Sequence, residues 1–247
     1  MKSLIIACLC LLTACSRKKE IAIEPSTAVI IVDDYTDPGT LHPDAEAILT
    51  LYNFRVMPEQ AALLKLVLIT DLELNPTQTI SVPCAAESEK QNTRDDITYR
   101  ERTISSFYDA ARKAIADFPK RFNADTCRQS ECFATVASAM DDLAQSKASQ
   151  KIAIIFSNLQ ENEEDFSCYT EEGQGILRAN PDKVAKLLQR RHPLPDNLIG
   201  TTVYFVFKPR TPIEDAQFAG MVNLYTKLLK ARGARVIIQA TNTQFQP

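Results

Sequence analysis

The sequence predicts an α/β three-layer sandwich: a mostly parallel central sheet with one antiparallel edge strand, held between two layers of helix. Three observations carry that expectation. Ala28 to Val32 is an unbroken apolar run, largely β-branched, that stops at Asp33 and Asp34. Such a run suits a strand buried on both faces of a parallel sheet, delivering polar groups to the sheet's carboxyl edge. Further runs at Leu63–Thr70, Lys151–Phe156, Thr202–Phe207 and Arg235–Gln239 alternate with helical segments, as parallel crossovers require. Asn75-Pro76-Thr77 turns the chain into Gln78–Pro83, whose polar-apolar alternation suits an antiparallel edge strand.

The helices follow in order. His42-Pro43-Asp44 opens one that runs to about Tyr52. A polar loop, Cys84–Asp96, leads to a long helix in which Ile104, Phe107, Tyr108, Ala111, Ile115 and Phe118 form one apolar stripe. After a loop at Asn123–Ser130, Glu131–Ala148 is a helix packed through Phe133, Val136, Met140 and Leu143. Leu159–Gly175 reads as a long acidic loop. Asn180-Pro181 caps a short helix with proline at its first position. Thr211-Pro212-Ile213-Glu214 starts another with an N-cap threonine and a capping glutamate, ending at Gly233. The order β-α-β-β-α-α-β-α-β-α-β places the first strand centrally. No repeat, low-complexity run or glycine-rich linker divides the chain, so one domain is expected.

The first residues set the compartment. Lys2 followed by Leu4–Leu12 is a short basic and apolar leader, too brief to span a bilayer. It ends Leu12-Thr13-Ala14-Cys15, which resembles the bacterial lipobox; the resemblance implies that Cys15 is diacylated and becomes the mature N-terminus. The expected plan is a signal peptide over 1–14, a lipidated cysteine and polar tether over 15–26, and a domain over 27–247. Two or three acyl chains suffice for stable anchoring. Ser16, where an aspartate would retain the protein at the inner membrane, resembles the outer-membrane sorting pattern and implies a lipid-anchored envelope location facing the periplasm. Loss of Lys2 with the leader moves the formal net charge from −3 to −4, an acidity that gives no reason to expect nucleic acid.

Cys8 and Cys10 leave with the leader and Cys15 is acylated. Cys84, Cys127, Cys132 and Cys168 remain, an even number that suggests two disulfides in an oxidising compartment, with buried free thiols as the alternative. At least one bridge is expected among Cys127, Cys132 and Cys168. None of the four has CxxC spacing, and with His42 and His192 the only imidazoles, chelation by these thiols is not expected.

The order of elements, including the early edge hairpin, resembles the von Willebrand factor A domain. That family carries a metal-ion-dependent adhesion site on the carboxyl edge: Asp-x-Ser-x-Ser after the first strand, a Thr before the third helix, and an Asp after the fourth strand. By that resemblance Asp34 and Thr36 take the first two motif positions and Pro38 replaces the second Ser. Ser130 matches the Thr, and Asn158 stands where the Asp belongs. Asp34, Thr36, Ser130 and Asn158 are therefore candidate ligands for Mg²⁺ or Ca²⁺. With a carboxylate and a hydroxyl missing, weak or no binding is expected. The bland alternative is that Asp34 and Thr36 cap the following turn.

The carboxyl edge is also expected to gather Asp33, Asp37, Glu161, Glu163, Glu164 and Asp165 into an acidic binding edge, for a basic partner or simply for solvent. Asp33-Asp34, Asp71 and Lys208-Pro209 resemble a response-regulator pocket, but the chain between Asp71 and Lys208 is far longer than a receiver holds. No G-x-S-x-G elbow, Walker loop or G-x-G-x-x-G is present, so no catalytic residue is assigned. The expected function is a protein-binding module of adhesion or assembly type, with an envelope or extracellular protein as partner. The alternatives are a carboxylate-based hydrolase using Asp33, Asp34 or Asp37, and a structural envelope component.

Overall fold

A computed structural model describes residues 26–70, 75–85, 94–122 and 130–246, and of 94–96 the backbone alone. The leader, Cys15, most of the tether, Asp71 and Cys127 lie outside the described residues.

The strands are β1 (Thr27–Asp34), β2 (Ala62–Ile69), β3 (Thr77–Val82), β4 (Gln150–Phe156), β5 (Thr201–Val206) and β6 (Arg235–Gln239). They form one sheet in the order β3-β2-β1-β4-β5-β6. β3 runs antiparallel to β2, and every other neighbouring pair is parallel. β1 has a strand on each side and helices above and below, so all of its residues are buried, which is why its sequence is apolar without alternation. β3, at the edge, shows the alternation instead.

The helices are α1 (Ala45–Leu49), α2 (Arg94–Asp117), α3 (Cys132–Gln145), α4 (Glu171–Ala179), α5 (Pro181–Arg191) and α6 (Pro212–Lys230). Successive β1 residues point to opposite faces. Val29 and Ile31 meet α1, α2 and the C-terminal Phe245. Ala28, Ile30 and Val32 meet α3, α4, α5 and α6. The result is the three-layer sandwich the sequence predicts.

Local signals act where the sequence places them. The side chain of Asp44 accepts from Ala47 N at 2.8 Å, Asn180 from Lys183 N at 3.1 Å, and Thr211 from Glu214 N at 3.2 Å. Two expectations are corrected. The first helix stops at Leu49 rather than Tyr52: the backbone leaves it through tight turns in which Leu51 N donates to Ile48 O at 3.0 Å and Tyr52 N to Leu49 O at 3.2 Å, and the Tyr52 hydroxyl donates to Leu63 O at 2.9 Å. The segment 159–175 is not loop throughout, since Thr170 accepts from Gly173 N at 3.0 Å and starts α4 at Glu171. Glu171 and Glu172 thus occupy a first helical turn, where carboxylates complement the dipole.

Candidate functional site

The carboxyl edge is built from the ends of β1, β4 and β5. Asp34, the last residue of β1, is fully buried towards α3. Its Oδ1 accepts from the Thr36 backbone N–H at 2.9 Å and the Thr36 hydroxyl at 2.6 Å. Its Oδ2 accepts from the Ser157 hydroxyl at 2.6 Å and faces the Cys132 thiol at 3.8 Å. Burial pushes the Asp34 carboxyl up from its usual range, and the bonds from Ser157 and Thr36 hold it down. The Cys132 sulfur also lies 3.0 Å from Ser130 Oγ and 3.6 Å from both Ser157 Oγ and Gln160 O. Burial, with Asp34 and Glu161 nearby, raises this thiol well above the ordinary cysteine range.

As β4 ends, two side chains fold the backbone back on itself. Ser157 Oγ accepts from Leu159 N at 2.8 Å, and Asn158 Oδ1 accepts from Gln160 N at 2.7 Å. Leu159 adopts a left-handed φ of 59°, unfavourable for a leucine, and its fully buried side chain holds it there. Asn158 Nδ2 then donates to Asp37 Oδ2 at 2.8 Å, tying the β4 exit to the β1 exit.

These contacts decide how the expected ligands fit a cation. Asp34 and Thr36 are bonded to each other, Ser130 meets a thiol, and Asn158 is engaged by Asp37 and Gln160. A sulfur atom stands among Asp34, Ser130 and Ser157, whereas Mg²⁺ and Ca²⁺ require a shell of oxygens. The residues present do not fit such an ion. Among the described residues, no group of three or more His, Cys, Asp or Glu side chains is placed to hold a metal.

Above this network lies a cleft of about 300 Å³ whose walls include Thr36, Asp37, Asn158, Gln160, Tyr169 and Arg210. Arg210 pairs with Glu214 at 2.9 Å and approaches Asp37 at 3.6 Å. Its guanidinium lies so close over Gly39 that a β-carbon there would fall 1.9 Å from Nη1, so this position admits only glycine while the arginine keeps its place. Much of the Tyr169 ring is exposed, yet its hydroxyl meets Asn158, and burial pushes that hydroxyl up to about 12. A second, more apolar cleft of about 320 Å³ continues from the first, sharing Gln160 and Gln217 and running between Leu177 and Ile213.

The acidic edge differs from expectation. Glu161 is fully buried, and its Oε2 accepts from Phe133 N at 2.9 Å. It thereby supplies the N-terminal cap of α3 that the adjacent Glu131 side chain does not make. Burial and the neighbouring Glu163 raise its carboxyl well above the usual range, although the helix amides oppose the shift. Glu163 is largely buried and pairs with Arg191 at 3.0 Å, and Arg191 also reaches Asp165 at 3.3 Å. Asp33 is buried too. Of the six carboxylates expected to form one exposed surface, Glu164 and Asp165 are exposed and Asp37 lines the cleft.

Asp33 points to the opposite face of the sheet, and there the structure supplies a pairing the sequence did not suggest. Its Oδ1 lies 2.9 Å from His42 Nδ1, while its buried Oδ2 has no hydrogen-bond partner. The sequence places His42 beside Asp44, but Asp44 is occupied in capping α1. The usable signal is strand alternation: Asp33 must face the layer that the next helix enters, and His42 stands at that entry. The Asp33 contact raises His42 above its ordinary range, while burial raises Asp33 and the imidazole opposes that rise. Half of the His42 side chain remains exposed, against the Tyr35 ring at 5.0 Å.

Cys84, Cys132 and Cys168 are free thiols, so the expected bridges do not form among these three; Cys127 lies outside the described residues. Cys132 is turned into the polar nest around Asp34, while burial holds Cys168 at about 12. No protein-family model matches this chain, and no curated protein matches it either.

Proposed function

We propose that the chain is a lipid-anchored, periplasm-facing protein-binding module, a divergent relative of the von Willebrand factor A domain that takes its partner at the carboxyl-edge cleft without a bridging cation. The strand order with an antiparallel β3 supports the kinship. The observation that carries the binding reading is the pair of adjoining clefts, one polar and one apolar, joined at Gln160 and Gln217. A strip with hydrogen-bonding side chains at one end and Leu177 and Ile213 at the other suits an extended polypeptide better than a compact small molecule.

Photo-cross-linking in intact cells tests this reading. A photoreactive side chain at Gln217 is expected to give a discrete protein adduct, weakened by Tyr169→Ala across the cleft. The same side chain at Ile238, on the outer strand, is expected to give none. Equal capture at both positions, or none at Gln217, removes the module from the account and leaves the structural-component reading. The hydrolase alternative draws on one arrangement, the Asp33–His42 couple, in which a buried carboxylate orients a half-exposed imidazole. It predicts turnover that disappears in His42→Ala, whereas the binding module keeps its adduct in that variant.

A further inference from the structure

The end of the molecule opposite the cleft has its own chemistry. Large hydrophobic side chains exposed among the described residues are Val56, Met57, Ile97, Tyr99, Tyr169, Ile199, Ile213 and Ile238. Five of these eight lie at the amino edge of the sheet. Val56 (68% exposed) and Met57 (42%) precede β2, Ile199 (74%) precedes β5, and Ile97 (47%) and Tyr99 (61%) lie in the first turns of α2, which starts where antiparallel β3 ends.

The platform is built rather than loose. Buried Arg100 donates to Pro58 O at 2.6 Å, Gln60 O at 2.6 Å and Pro83 O at 2.8 Å, fastening the loop that carries Val56 and Met57 to the start of α2. At Gly233, φ is +90° and a β-carbon would fall 2.6 Å from Ile199 Cγ1, so the β6 entry backs the Ile199 loop. Exposed Arg55, Lys147 and Arg235 stand at the same edge, interspersed with Glu59, Glu101 and Asp196.

The tether arrives here as well. Ser26 N donates to Ala61 O at 3.0 Å, immediately before β1 and β2 begin. From Cys15 to Ser26 the chain reaches about 40 Å at most, and it carries Arg17, Lys18 and Lys19 next to the acylated position.

We infer that the amino edge is a lipid-facing surface: Val56, Met57, Ile97, Tyr99 and Ile199 seat in the headgroup region of an anionic bilayer, with Arg55, Lys147 and Arg235 towards its phosphates. This rests on the acylation of Cys15 proposed above. Aliphatic tips with a tyrosine and flanking cations are the composition an interfacial contact requires. One acyl-anchored edge flat on the bilayer points the cleft at the other edge away from it, towards a partner.

The sequence contains no tryptophan, so a single introduced one reports alone. Acylated Val56→Trp, Ile199→Trp and Ile213→Trp proteins are reconstituted into vesicles of phosphatidylethanolamine and phosphatidylglycerol with brominated acyl chains. The expected result is a blue shift and loss of emission at 56 and 199, with Ile213→Trp unchanged. Replacing phosphatidylglycerol by phosphatidylcholine is expected to reduce both effects. Protein that floats with the vesicles but shows three equal, unquenched emissions overturns the orientation while leaving the anchor intact. Protein that does not float overturns the anchor and the orientation together.

Discussion

Asp33 and Asp34 are neighbours in sequence and opposites in structure. Asp34 sits in a shell of neutral donors from Thr36 and Ser157 beside the Cys132 thiol, with both oxygens engaged. Asp33 meets one half-exposed imidazole and keeps an oxygen without a partner. A carboxylate bonded on both oxygens is a fastener, joining the β1 exit to β4. One with a single titratable partner answers to solvent, because the imidazole is the side chain whose ordinary charge change falls nearest neutral pH, and the Asp33 contact raises it from there.

The largest expected effect tests the fastener. Asp34→Ala strands the Ser157 hydroxyl and the Thr36 donors, and a loss of roughly 3 kcal/mol is expected in urea unfolding. Asp33→Asn leaves a polar partner beside His42 and is expected to cost about 1 kcal/mol or less by the same measurement. Equal losses would erase the distinction between the two faces.

Calorimetric titration with Mg²⁺, Mn²⁺ and Ca²⁺ sharpens the same contrast, and no binding at the Asp34 nest is expected. Micromolar affinity abolished by Thr36→Ala would reinstate a working adhesion site and show that the Cys132 sulfur moves aside.

The Asp33 side predicts a pH effect of known sign. In the folded protein His42 titrates above its ordinary 6.5, so its contribution to stability is complete below that value and is lost as pH rises through the folded value. Asp33, raised from 3.8, works in the same direction: its contribution is present below that value and lost as pH rises through its own folded value. Proton NMR is expected to give His42 a higher midpoint than 6.5, returning towards it in Asp33→Asn. Stability should fall with rising pH above 6.5, and less steeply in His42→Gln. A midpoint at or below 6.5 would remove the coupling.

The smallest effect is chemical. Buried Cys132 and Cys168 are expected to react with a thiol reagent only as the protein unfolds, while half-buried Cys84 reacts in the native state. A disulfide-linked peptide joining Cys132 to Cys168 would break this assignment and restore the bridge expected from compartment alone.

The fold was legible because its determinants are local or periodic. The apolar run of β1, the alternation of β3, and the caps at Asp44, Asn180 and Thr211 each declare themselves within a few residues. The start of α4 at Thr170 was masked by the acidic residues around it, although carboxylates belong in a first helical turn. The site was legible only as a place. Asp34, Thr36, Ser130 and Asn158 all reach the β1–β4 exit, but which atom faces which depends on contacts between residues more than a hundred positions apart, such as Ser157 to Asp34 and Asn158 to Asp37.

By itself, then, the sequence determined a mostly parallel sheet with a central first strand and an antiparallel edge strand, and the edge that gathers polar side chains, since hydrophobic period and chain reversal act over short stretches. Tertiary structure alone decided that Glu161 is a buried helix cap rather than a surface charge, that Asp33 belongs to His42, and that a cysteine sulfur fills the space among the candidate ligands. The physical reason is that burial and pairing are properties of the space between segments. A carboxylate reads the same in sequence whether water, an imidazole or a helix amide waits at the end of its side chain.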